Sequence, residues 1–137
     1  YTPELLGLAV GLANYPFDEG MPLTGQARSA SCGSTFTMGL ALDTDNRIIR
    51  IGMQVQACAI GQAAAAVFAN HAIGQEMATI DETLAALDCW LSGKGSIPNW
   101  PGIQTIEPAH AFPGRHGAIR LPWQAASQAL SKAPSPR

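Results

Sequence analysis

The stretch Ser34-Thr-Phe36-Thr-Met38-Gly-Leu40-Ala-Leu42-Asp43, followed after the polar turn Asp43-Thr-Asp-Asn46 by Arg47-Ile-Ile49-Arg-Ile51-Gly-Met53-Gln-Val55-Gln56, decides the fold. In its first half Phe36, Met38, Leu40 and Leu42 alternate with small or polar residues. In its second half Ile49, Ile51, Met53 and Val55 alternate with Arg50, Gly52, Gln54 and Gln56. Alternation with period two predicts strands with one buried face. Two such strands joined by a short Asp/Asn-rich turn predict an antiparallel hairpin.

A cysteine stands on each side of this hairpin, the two 26 positions apart. Cys32 lies in Ser29-Ala-Ser-Cys32-Gly33-Ser34 and Cys58 in Val55-Gln-Ala-Cys58-Ala-Ile-Gly61. The hairpin would bring both small-residue turns to one end of a small sheet. Two converging thiols suggest a metal or iron–sulfur site. At Ala57 the period changes to that of a helix. Ile60, Ala64, Val67, Phe68 and His71 share a face, and Gly74 is a C-terminal stop. Cys58 then sits at a helix N-terminus, where backbone N–H groups and the helix dipole favour an anion.

Further out, Glu4–Asn14 reads as a short helix with Leu5, Leu8 and Leu12 on one face, and Gly25–Ser31 as a strand. Tyr15–Thr24, with two prolines, reads as a loop. A third helix opens at Thr79, with Glu82 completing a capping box and Ile80, Leu84, Leu87 and Leu91 forming its stripe. Lys94–Pro113 holds four prolines and reads as a loop. Arg115–Ser131 is the final helix, contacting the core through Leu121, Trp123, Ala126 and Leu130, with Pro122 in or near its first turn. The tail after Lys132 is expected to be disordered.

The 137 residues predict one domain spanning residues 1–137. Charged residues are only 13% of the chain and the net charge is −2, which gives no reason to expect nucleic acid or an acidic membrane as a partner. The longest apolar stretch, Ala57–Ile73, is broken by Gln62, Asn70 and His71 and is too short and polar to span a bilayer. No stretch reads as a signal peptide, and three cysteines cannot all pair within the chain, so a reducing cytoplasm is the expected location.

A Cys-Gly turn entering a hairpin, then a small-Cys-small-x-Gly turn entering an Ala-rich helix, resembles the IscU/NifU family of iron–sulfur cluster assembly scaffolds. The similarity runs over Ser29–Gly74 and resumes over Phe112–Leu130, about half the chain. There, Phe112-Pro-Gly-Arg115-His-Gly-Ala118-Ile-Arg-Leu121-Pro-Trp123-Gln-Ala125 is similar to the pattern Arg-x-x-Cys-x-x-Leu-x-Trp-x-Ala of the SufU branch. The resemblance implies an α+β fold of the SufE/NifU-like (IscU-like) kind, a small three-stranded antiparallel sheet packed by about four to five helices. It implies that Cys32 and Cys58 are cluster or metal ligands. It also implies a non-enzymatic role and, as partners, a cysteine desulfurase and cluster-acceptor proteins.

Two positions depart from the pattern. Ala118 stands at the third cysteine, and Ser34 stands where the family has an aspartate. A tetrahedral zinc or an iron pair wants four donors per metal, counting bridging sulfide for iron. Cys32 and Cys58 supply two. His116 at the entrance of the last helix, Ser34, water or a second subunit are the candidates for the rest, and a homodimer would give a four-thiolate [2Fe–2S] site. Such coordination suits a transient cluster or iron, with zinc as the other candidate metal. The alternative reading is a sulfur-relay or regulatory factor that docks on a desulfurase without holding a cluster. Cys89 reads as a structural or surface thiol, and His71 and His110 as structural or solvated.

Overall fold

β1 (Leu23–Arg28), β2 (Thr35–Leu42) and β3 (Ile48–Gln56) form one antiparallel sheet in the order β1-β2-β3. The computed structural model describes residues 3–30 and 33–133. Cys32 and residues 134–137 of the expected tail lie outside the described residues. The helices are α1 (Pro3–Val10), α2 (Ala59–Ala72), α3 (Met77–Leu91) and α4 (His116–Leu130), with 3₁₀ turns at Gly11–Asn14, Ile103–Ala111 and Pro113–Arg115. This is the expected α+β architecture. Among the described residues no helix is long and apolar enough to cross a membrane.

The predicted hairpin is present, with Phe36 facing Val55, Met38 facing Met53 and Leu40 facing Ile51. One inward residue differs from the alternation. The register slips between Ala41 and Leu42, so that Ala41 pairs with Arg50 and Leu42 with Ile48. Ile49 is therefore the extra residue of a bulge and is 50% exposed, while Ile48 is fully buried. A one-residue insertion reverses the facing of everything beyond it.

Both sheet edges are covered. On β1 the Gln26 N–H donates to the Gln128 side chain of α4, and Lys132 Nζ donates to the Thr24 carbonyl at 2.6 Å. On β3 the Met53 N–H donates to the Tyr15 carbonyl at 2.9 Å. Backbone groups that would otherwise template association are thereby satisfied.

α2 differs from a one-faced helix. Ten of its residues are buried, from Ile60 to Ala72, because α1, α4 and the 103–111 segment surround it. Ile60, Ala64, Val67 and Phe68 lie inside as expected, whereas His71 is exposed. α3 starts at Met77 with Glu76 as its cap residue, not at Thr79. Thr79 lies inside the helix, where its carbonyl accepts from Thr83 Oγ1 at 2.8 Å, so the expected capping box does not form. Pro122 also lies deeper than expected, as the seventh residue of α4, where it removes the i+4 donor for the Ala118 carbonyl.

The segment expected as a loop is part of the core. Ile103, Ile106 and Ala109 are buried at the three-residue spacing that puts side chains on one line of a 3₁₀ helix. Trp100 stacks on Phe68 at 5.6 Å, Trp123 meets both rings edge-on at 5.4–5.5 Å, and Trp100 Nε1 donates to the Val67 carbonyl at 2.9 Å. Phe68, 0% exposed, is the ring shared by two of these contacts. Phe68→Ala is expected to cost about 3–5 kcal/mol in urea unfolding, because a rigid aromatic surround cannot collapse into the cavity.

Candidate functional site

Cys58 is the N-cap residue of α2, with extended backbone (φ −65°, ψ 172°) and its carbonyl accepting the first helical bond, from the Gln62 N–H at 3.0 Å. Its side chain makes no capping bond, so the thiol is not committed to the helix. It is partly exposed and free of any disulfide. Gln62 Nε2 donates to the Ala57 carbonyl at 2.9 Å, tying the start of the helix back to the end of β3.

The pairing of Thr35 with Gln56 puts the β1–β2 connection and the β3–α2 connection at the same end of the sheet. That connection is closed by two bonds, Ser29 N–H to the Ser34 carbonyl and Gly33 N–H to the Ser29 carbonyl, each at 2.9 Å. Gly33 has φ +69°, a left-handed conformation that glycine adopts without a Cβ clash. Ser34 is only 2% exposed at the entry to β2. The position of Cys32 itself lies outside the described residues.

α4 brings its own first turn to this end. Ala118, fully buried, packs against the first turn of α2: a Cβ on Gly61 would come within 3.3 Å of the Ala118 Cβ and within 2.7 Å of the Ala57 Cβ. Gly61 is thus required for close approach, and the position where the resemblance expects a third cysteine faces the turn that Cys58 caps. His116, two residues earlier, is partly buried and sits beside His110, with ring centroids 5.4 Å apart. Its Nε2 lies 2.7 Å from the His110 carbonyl. A carbonyl only accepts, so Nε2 carries the hydrogen and a neutral ring keeps its lone pair on Nδ1. His110 is engaged in the same way with the Trp90 carbonyl at 2.7 Å.

Of the four candidate ligands, Cys58, Ser34 and His116 belong to elements that meet at this end of the fold. No group of three His, Cys, Asp or Glu side chains close enough to hold a metal occurs among the described residues. Cys89 is exposed on α3, away from the stripe formed by Ile80 and Leu87. Beside the site lies a cleft between α1, the start of α2 and the 103–115 segment, which no local pattern announces because its walls come from three separate parts of the chain.

No family model and no curated protein matches the sequence. Among solved structures, the fold is similar to that of a nitrogen-fixing NifU-like protein (N-terminal) from Brucella abortus, with TM-score 0.87 and 24% identity over 97% of this chain and 96% of that one. It is also similar to that of a protein put forward as an iron–sulfur cluster assembly scaffold for the SUF system, from the thermophile Fervidobacterium islandicum AW-1. There the TM-score is 0.82, with 22% identity over 95% of this chain and 96% of that one.

Proposed function

We propose that this protein is a scaffold or carrier in iron–sulfur cluster assembly, holding iron and sulfide, as a transient [2Fe–2S] cluster or its precursor, through the thiolates of Cys32 and Cys58. The observation that carries this reading is the placement of Cys58. It caps α2 with an uncommitted, partly exposed thiol, at the sheet end where the Gly33–Ser34 turn and the first turn of α4 also lie. The likeness to folds of NifU-like and SUF-system proteins supports it. The role is non-enzymatic: the iron and sulfide are cargo, taken up and passed to acceptor proteins, and the setting is a reducing cytoplasm.

A cysteine desulfurase is the sulfur donor in this proposal. The Cys58 thiolate attacks the outer sulfur of the donor's persulfide, a new S–S bond forms at Cys58, and the donor's cysteine leaves as thiolate; two external thiols then reduce this sulfur to sulfide, leaving as their disulfide and restoring the Cys58 thiol. His116 through Nδ1 and Ser34 through its hydroxyl are the weaker candidates to complete the ligand set, with a second copy of the chain as the other source. Zinc is the alternative occupant of the same donors.

Ala118 favours a second reading. A fully buried methyl group stands where a third thiolate would be, so the protein would relay sulfur or regulate a desulfurase without keeping a cluster. Ala118→Cys separates the two. Because position 118 faces the capped turn of α2, the variant is expected to retain iron and sulfide at least about tenfold longer against a chelator than the unaltered protein, which itself forms a labile cluster. Iron and sulfide content after anaerobic reconstitution reads this directly. If neither protein holds iron while the unaltered one binds a desulfurase, the relay reading replaces the scaffold reading.

A further inference from the structure

The cleft beside the site has a composition unlike that of a thiolate centre. Leu5 of α1, Ile60 of α2, Pro108, Ala109 and Phe112 line a space of about 300 Å³, and Arg115 also lines it. Leu5, Ile60 and Ala109 are at most 5% exposed and form its floor, whereas Phe112 is 63% exposed and stands at its rim. Arg115 is partly buried, and among the described residues its side chain makes no ion pair or hydrogen bond. The other arginines that take part in such contacts, Arg47, Arg50 and Arg120, are each paired with a carboxylate.

An apolar cleft of this size with one convergent cation is the arrangement that orients a small amphipathic anion. At roughly 30 Å³ per heavy atom, the share of a water molecule in the liquid, the space takes about ten heavy atoms. A guanidinium presents two parallel donors that match a carboxylate. We propose that this cleft is a binding site for a medium-chain carboxylate, its alkyl chain on Leu5, Ile60 and Ala109 and its head group on Arg115. The proposal does not depend on any metal or cluster.

Octanoate, titrated into the protein and followed by amide chemical shifts, tests it, with methyl octanoate as the uncharged control. The expected result is saturable shifts at Leu5, Ile60 and Ala109, a loss of affinity of about tenfold for Arg115→Gln, a similar loss for the ester, and no binding by Thr105→Trp, which fills the cleft from a lining position. No saturable shift with octanoate overturns the proposal. Equal binding of acid and ester, unaltered in Arg115→Gln, also overturns it and would mark the cleft as a seat for an uncharged apolar segment.

Discussion

Gly25→Ala is expected to destabilise the protein by more than about 3 kcal/mol, a substantial part of the 5–15 kcal/mol that holds an ordinary domain folded. Gly25 lies in β1, paired with Met38, on the face where α4 crosses the sheet. A Cβ there would stand 2.2 Å from the Ala125 carbonyl oxygen and 2.7 Å from the Ala129 nitrogen. These are backbone atoms of a buried helix, so no side-chain rotation relieves the clash and α4 itself must move. Movement of α4 would also disturb the bond that Gln128 accepts from Gln26 and the bond that Lys132 donates to Thr24, which cover the edge of β1. The contrast is Gly7→Ala in α1, where an added Cβ meets nothing within 4 Å and the substitution should gain about 0.5–1 kcal/mol through helix propensity. Urea unfolding followed by circular dichroism compares the two. Near-equal midpoints would mean that α4 does not sit on β1 as described.

The second large effect concerns Cys58→Ser. Serine is a preferred N-cap residue, and the native thiol makes no capping bond, so the variant should be as stable as the parent or more stable by about 0.5–1 kcal/mol. Metal affinity should move the other way. Removing one of two thiolates from a site whose remaining candidates are a histidine and a serine should weaken zinc binding by at least about 100-fold, beyond what loss of an outer partner costs. Competition against a chromophoric chelator measures this. A protein that is intact yet blind to zinc separates the role of the thiol from the role of the cap. Unchanged zinc affinity would remove Cys58 from the ligand set.

Much of this architecture is legible because local pattern and tertiary burial agree. The alternation in Phe36–Leu42 and Ile51–Val55 defines the hairpin, and the change of period after Ala57 places Cys58 at a helix start. The misplaced elements are those where a distant contact decides. Ile48 and Ile49 are adjacent and equally apolar, and only the slip opposite Leu42 determines which one is buried. Pro98, Pro101 and Pro108 suggest a loop, yet Ile103, Ile106 and Ala109 repeat every third residue, a 3₁₀ signal that was present and is easily overlooked. At the site, the contact between Ala118 and Gly61 joins residues 57 positions apart, and nothing local to either one announces it. Arg115 is visible in the motif of the last helix, but its cleft exists only once α1 and α2 are in place.

In the proposed function the thiolates of Cys32 and Cys58 capture iron and sulfide. Anaerobic reconstitution with ferrous iron and sulfide, read by visible absorbance and metal content on the unaltered protein, Cys32→Ser and Cys58→Ser, tests it most directly. The expected result is a cluster spectrum in the unaltered protein that each single substitution abolishes. A spectrum that survives either substitution, or no spectrum in the unaltered protein, contradicts it.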